Sequence, residues 1–190
     1  MIIDYLKPQA NIILASASPR RRELLAEAGY KFDVVISNVD ESVFPTENIT
    51  SVEYAKQLAF AKANDVAEKF PDSIVIGADT VVDFDGQIIG KADDANHAEE
   101  ITRKLFSKPH KVITGLALVC KSGTGFQPVK TRPGWPCYDN NLQIVEVETT
   151  VVYPRKLTDA QIAEHIKSEI WCGKAGAYSI RDNDPFVDHI

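Results

Sequence analysis

Asp79 stands in an otherwise apolar run, Ile74-Val75-Ile76-Gly77-Ala78 before it and Val81-Val82 after Thr80, where a carboxylate is expensive to bury without a partner. It reads as a divalent-metal ligand or a general base for water; the alternative is a cap, a turn or a pair with lysine. A second anomaly is Ser16-Ala17-Ser18-Pro19-Arg20-Arg21-Arg22. Ser18 suits an N-cap and Pro19 the first helical position, so the arginines fall in the first turn of a helix. Each is disfavoured there by roughly 0.3–1 kcal/mol unless an anion faces it. A phosphate would satisfy them, with helix N–H groups and the Ser16 and Ser18 hydroxyls adding donors. The competing use is a solvated helix start paired with Glu23.

Lys62 lies four residues from both Leu58 and Val66 on the apolar stripe of a helix, so its ammonium either snorkels to the surface or points into a cleft. Lys91, in Gly90-Lys91-Ala92, is a loop lysine or a pocket lysine. Asp40-Glu41 offers a carboxylate that could complete a magnesium site with Asp79, since such sites use one or two carboxylates plus substrate phosphates. The four histidines show no HExxH spacing, and neither GxxxxGK[ST] nor GxGxxG occurs. Zinc-protease chemistry and the two commonest nucleotide motifs are therefore disfavoured.

The elements that must place these groups alternate between strand and helix. Residues 11–15 read as a buried strand feeding the arginine helix, with Leu24, Leu25 and Ala28 as that helix's apolar stripe and Gly29 its end. A second strand follows at 32–36. Thr50-Ser51-Val52-Glu53 is a capping box for a helix to about residue 69. Residues 73–82 read as one central strand covered on both faces, its apolar run broken at Asp79 and Thr80 and resumed at Val81-Val82. Asp94 caps a helix carrying Ala98, Ile101 and Leu105, and Thr158 through Gln161 caps another carrying Ile162, Ile166 and Ile170. Residues 111–120 and 142–153 read as paired strands; the second alternates Val145, Val147, Thr149 and Val151 against Glu146, Glu148 and Thr150. Between them, 121–141 reads as a long surface loop. This is a mixed α/β pattern.

With 190 residues, 44% of them apolar, the chain can bury one sizeable core, and residues 1–190 are expected to form a single domain. A net charge of −6 argues against a non-specific nucleic-acid binder. Cys120, Cys137 and Cys172 are far apart and read as free thiols in a reducing compartment. No apolar run approaches the length of a membrane span, and a cytoplasmic location is expected.

The chain holds, in order, Ser16-Ala17-Ser18-Pro19-Arg20-Arg21, Asp40-Glu41, Lys62-Ala63, Gly77-Ala78-Asp79-Thr80-Val81-Val82, Gly90-Lys91-Ala92, His110-Lys111-Val112-Ile113-Thr114-Gly115 and Gly173-Lys174-Ala175-Gly176-Ala177-Tyr178. Taken together, these blocks resemble the Maf family of nucleoside triphosphate pyrophosphatases. The resemblance implies an inosine-triphosphatase-like α/β fold, a mixed twisted sheet flanked by helices in two lobes with a central cleft, often dimeric. It also implies hydrolysis of a nucleoside triphosphate to the monophosphate and pyrophosphate with a divalent metal cation, Mg2+ or Mn2+. The expected substrates are dTTP, UTP or modified pyrimidine nucleotides, in a house-cleaning role that keeps them out of nucleic acids. By position, Asp79 would be the general base, and Arg20, Arg21, Lys62 and Lys91 would hold the triphosphate. Glu41 would assist metal binding or water activation alongside Asp79. Ser16 and Thr80 would complete the substrate site.

The pattern departs from the family at Ala92, where the family has proline. It departs again at Arg181, a substrate-site position where the dTTP/UTP branch usually has glutamine, and this departure leaves the choice of base open. The chain reaches Ile190 before the family's usual NVVGLP ending, so a closing segment is expected to be missing. Two alternatives stand beside the pyrimidine reading: hydrolysis of 7-methyl-GTP or another non-standard nucleotide, and a nucleotide-binding regulator of cell division with weak hydrolysis.

Overall fold

In the computed structural model, residues 11–121, 142–179 and 187–189 are described. Nearly all of the expected 121–141 loop, with Cys137, and also Arg181 lie outside the described residues. The element order is β1 (Ile12–Leu14), α1 (Pro19–Glu27), β2 (Asp33–Val34), a 3-10 turn (Glu41–Val43), α2 (Ser51–Ala67), β3 (Ile74–Phe84), β4 (Gln87–Ile89), α3 (Ala95–Leu105), β5 (His110–Cys120), β6 (Leu142–Pro154), α4 (Asp159–Lys167) and β7 (Val187–His189). The sheet runs β2-β1-β3-β5-β6-β7, with β4 pairing on β3. It is mixed: β1 is parallel to β2 and β3, whereas β4 is antiparallel to β3.

Helix starts follow the local chemistry. Ser18 Oγ accepts from Arg21 N–H, Asp94 accepts from His97 N–H at 2.8 Å, and Thr158 and Gln161 form a reciprocal capping box. Thr50 and Glu53 do the same for α2, each backbone N–H donating to the other's side chain at 3.2 Å. These caps satisfy donors that the first helical turn leaves without intrahelical partners.

The chain divides into two compact units. The first comprises Met1–Phe44, Lys56–Asp79 and Gly115–Glu146; the second comprises Pro45–Ala55, Thr80–Thr114 and Val147–Ile190. In the first unit, Ala59, Ala63, Val66 and Ala67 of α2 pack on Ile13, Val75, Ala117 and Val119 of the strands. Leu14, Ile74, Ile76 and Leu118 make a second cluster. In the second unit, Leu105, Phe106, Val152, Trp171, Ala177 and Tyr178 form the core with Val82 and Phe84. Each fully buried Val, Leu or Phe is worth about 1.5–3 kcal/mol in burial alone.

Two expectations change. Helix α1 buries none of its residues; Leu24 is 48% exposed, and only Leu25 packs, partly buried, on the Leu14 cluster. The helix is therefore held chiefly by its first turn. Strand β3, by contrast, runs unbroken through Asp79 and Thr80 as expected. Its backbone ladder is indifferent to the side chain, and the Asp79 charge is met by a lysine rather than by leaving the sheet. Helix α4 stops at Lys167, leaving Ile170 in the turns that follow and 55% exposed. Among the described cysteines, Cys120 is a buried free thiol and Cys172 an exposed one. No helix among the described residues is long and apolar enough to cross a membrane.

Candidate active site

The close approach of α2 to β3 places the central charges. A Cβ on Gly77 would lie 2.3 Å from the Ala59 carbonyl oxygen and 2.7 Å from Ala63 N, so only glycine lets the helix backbone sit this near the strand. Lys62 leaves α2 one residue before Ala63, and Asp79 follows Gly77 by two on β3. The lysine Nζ donates to Asp79 Oδ1 at 2.6 Å and lies 2.7 Å from Glu41 Oε1. Lys62 and Asp79 side chains are only 13% and 10% exposed, so solvent screens this pair weakly. The lysine on an apolar helix stripe thus turns inward, and the buried carboxylate has the partner its burial demands.

Glu41 reaches the cluster because its neighbour stays local. Asp40 caps the 3-10 turn, its Oδ1 accepting from Ser42 N–H at 2.9 Å and Ser42 Oγ–H at 2.7 Å. Those two bonds hold the Asp40 carboxyl below its ordinary range. Of the Asp40-Glu41 pair, only Glu41 meets Lys62.

Arg21 closes the other side. Its Nη1 donates to the Ala78 carbonyl oxygen at 2.8 Å and to Ser16 Oγ at 3.2 Å. Ser16 Oγ also accepts from Ser18 N–H at 3.2 Å, so in this state the hydroxyl orients the arginine and the turn. Burial lowers the Arg21 pKa, with Asp79 and Glu41 pulling it back up. Burial raises the Asp79 pKa above the usual carboxylate value, and Lys62 opposes the shift. Asp79 Oδ2 accepts no hydrogen bond from the described residues. It can take a proton without first releasing Lys62.

Ser16, Arg21, Glu41, Lys62 and Asp79 are thus brought together within the first unit. Arg20 is not part of the cluster. It is exposed and pairs loosely along α1 with Glu23 at 3.6 Å and Glu27 at 3.8 Å, the surface arrangement weighed for the arginine run. Thr80 and Lys91 belong to the second unit. Lys91 is exposed, and its backbone bridges Ala175. Next to it, Gly176 N–H donates to the Gly90 carbonyl oxygen at 2.9 Å.

Residue-by-residue reading missed three partners. The Thr114 hydroxyl sits 3.0 Å from that of Thr80, and His110 Nε2 lies 2.5 Å from the Tyr178 hydroxyl. Both fall in the HxVxTG and GKAGAY blocks, which carried no assigned role, so the blocks themselves were the signal. The third is the Ala78 carbonyl, which no side-chain pattern can reveal.

The chain matches the family model described as Maf-like protein over residues 11–190. It is 36% identical over 169 residues to the dTTP/UTP pyrophosphatase of Ruminiclostridium cellulolyticum, covering 89% of this chain and 78% of that one. It is 40% identical over 182 residues to the dTTP/UTP pyrophosphatase of Geotalea uraniireducens, covering 96% and 84%. Among solved structures, it aligns with a nucleoside-triphosphatase, a dITP/XTP pyrophosphatase from Mycobacterium abscessus, with a TM-score of 0.45 and 14% identity over 76% of this chain and 74% of that one.

Proposed function

The chain belongs to the Maf-like protein family, and on that premise we propose that it is a nucleoside triphosphate pyrophosphatase acting on dTTP, UTP or modified pyrimidine triphosphates. The observation that carries the reading is the ion cluster in which the largely buried Lys62 and Asp79 meet the partly exposed Glu41 beside Arg21. The relatives named dTTP/UTP pyrophosphatase support the substrate class.

Phosphoryl transfer is mostly a matter of placement and charge. Asp79 takes the proton of a water whose oxygen bonds to the α-phosphorus. The bond from that phosphorus to the α–β bridging oxygen breaks, and pyrophosphate leaves with its charge met by the Arg21 guanidinium and the Lys62 ammonium. Asp79 and Glu41 present carboxylate oxygens converging within 2.7 Å of one point, which fits a hard divalent cation such as Mg2+ or Mn2+. These two residues would hold it, and the chemistry it supplies is further neutralisation of the triphosphate. Arg20, Thr80, Lys91 and Arg181 are assigned to the substrate on the motif pattern.

The same reading takes residues 1–190 as one catalytic domain of a cytoplasmic, homodimeric protein with a house-cleaning role. The test is incubation with Mg2+ or Mn2+ and a panel of dTTP, UTP, CTP, 7-methyl-GTP and the purine triphosphates, with monophosphate and pyrophosphate both measured. Preferential, equimolar release from dTTP and UTP is expected. Preference for 7-methyl-GTP would replace the substrate class, and binding without release would replace the enzyme with a nucleotide-binding regulator.

A further inference from the structure

Lys62 occupies the position toward which the Asp79 and Glu41 carboxylates both turn, at 2.6 and 2.7 Å from its Nζ. The carboxylates come from separate elements, the strand β3 and the 3-10 turn, and the ammonium arrives from a third, α2. Its partnership with the two carboxylates places a full positive charge where a divalent cation bound to both would have to sit. Such a cation must either displace the ammonium or settle beside it against like-charge repulsion, on two carboxylates whose charge one ammonium already half offsets. Arg21 adds a second positive charge within electrostatic reach of both acids.

The ligand count points the same way. Magnesium takes six oxygens and sheds its water reluctantly, while among the described residues no group of three or more His, Cys, Asp or Glu side chains could hold a metal ion. A triphosphate changes both terms at once. Its oxygens complete the coordination shell, and its negative charge gives the Lys62 ammonium another anion to bind.

Resting on the pyrophosphatase reading, we propose that Lys62 is a resident counter-cation that keeps free divalent metal off the Asp79–Glu41 pair, so that the metal enters only together with the triphosphate. Lys62 then has two successive partners, the carboxylates before substrate arrives and the phosphates afterwards. The alternative is a purely structural ion pair, which would affect stability and leave metal affinity alone.

The test reads metal binding rather than turnover. Mn2+ is titrated into the full chain without nucleotide, and the loss of its free-ion paramagnetic resonance signal is followed. The wild type is expected to bind at least tenfold more weakly than Lys62→Met, in which the two carboxylates are left without their ammonium, and Lys62→Arg is expected to stay weak like the wild type. Adding Glu41→Gln to Lys62→Met should abolish the gain. Equal affinity of wild type and Lys62→Met, or a gain that survives Glu41→Gln, overturns the proposal. Should Lys62→Met not fold, the wild type alone decides. Its Mn2+ affinity, after subtraction of the ion that the same nucleotide holds in a protein-free control, must rise at least tenfold when a non-hydrolysable αβ-methylene triphosphate is present, and an unchanged affinity overturns the proposal. A protein that shows this metal behaviour yet releases no pyrophosphate refutes the pyrophosphatase reading. One that turns over normally but binds Mn2+ tightly without nucleotide refutes only the role given to Lys62.

Discussion

The Arg21 guanidinium donates to the carbonyl oxygen of Ala78 at 2.8 Å, tying the first turn of α1 to the residue immediately before Asp79. Arg20, its neighbour in sequence, is exposed and pairs loosely with Glu23 and Glu27 instead. The two arginines therefore differ in what the folded protein asks of them. Arg21→Ala leaves an inward-facing carbonyl without its donor and should cost about 1–3 kcal/mol. Arg20→Ala removes exposed pairs and should stay within about 0.5 kcal/mol. Urea unfolding of the two variants checks this; equal losses would show that Arg21 is no more anchored than Arg20.

Asp79→Asn keeps the shape of the side chain and its contact with Lys62 while removing the proton acceptor. Turnover should fall about 10²–10⁴-fold, the usual worth of a positioned base, with nucleotide binding retained by calorimetry. Normal turnover in this variant would take Asp79 out of the base role.

Gly77→Ala tests the spacing between α2 and β3. The added methyl would meet Ala59 O and Ala63 N well inside contact distance, and overpacking of this kind costs about 1–3 kcal/mol. Pushing α2 outward also draws Lys62 away from Asp79, so kcat should fall more than KM rises. A variant as stable and as active as the wild type would mean that the helix can give way without disturbing the pair.

His110 makes a pH prediction. Its Nδ1 lies 3.1 Å from the Leu105 carbonyl oxygen and its Nε2 faces the Tyr178 hydroxyl, which assigns Nδ1–H as donor and Nε2 as acceptor in the neutral ring. Burial lowers the folded-state pKa below the ordinary 6.5. The unfolded chain therefore binds the proton first as pH falls, and stability conferred by the neutral ring is present above 6.5 and lost as pH drops from there toward the folded pKa. Urea midpoints at pH 7.5 and about 5.5 should differ more for the wild type than for His110→Phe, which cannot titrate. An equal difference would place the acid sensitivity elsewhere.

How far such features could be read beforehand depended on their range. The caps at Ser18, Thr50, Asp94 and Thr158 were legible because an N-cap involves residues at most three apart. Asp79 was legible because a carboxylate in an apolar strand needs a partner, and Lys62 because it broke a helix stripe. That Lys62 is the lysine that meets Asp79, and that it also links Glu41 to it, was not. The meeting depends on how α2 lies on β3, which Gly77 sets through a contact with no periodic signature. Strand β6 shows another limit. Val145 and Val147 turn inward as expected, but Glu148 and Thr149 are both exposed and the inward set then becomes Thr150 and Val152. The strand passes from the Val75 core of the first unit, where Val145 packs, to the core of the second, where Val152 is wholly buried. Because Thr149 and Thr150 are the same residue type, the pattern could not show where the phase changes.

The interleaving of the units sets an order of events during synthesis. Every member of the ion cluster, from Ser16 to Asp79, precedes β5 in the chain and so leaves the ribosome before it, yet β3 has β5 as its neighbour in the sheet, and Ala117 and Val119 belong to the core against which α2 rests. A nascent chain exposed only as far as residue 85 therefore carries all five charged and hydroxyl groups of the cluster without the strand that packs behind them. That packing is complete only once Gly115–Cys120 has emerged, so the chemistry encoded by residues 16–79 is finished by a strand that contributes none of its groups.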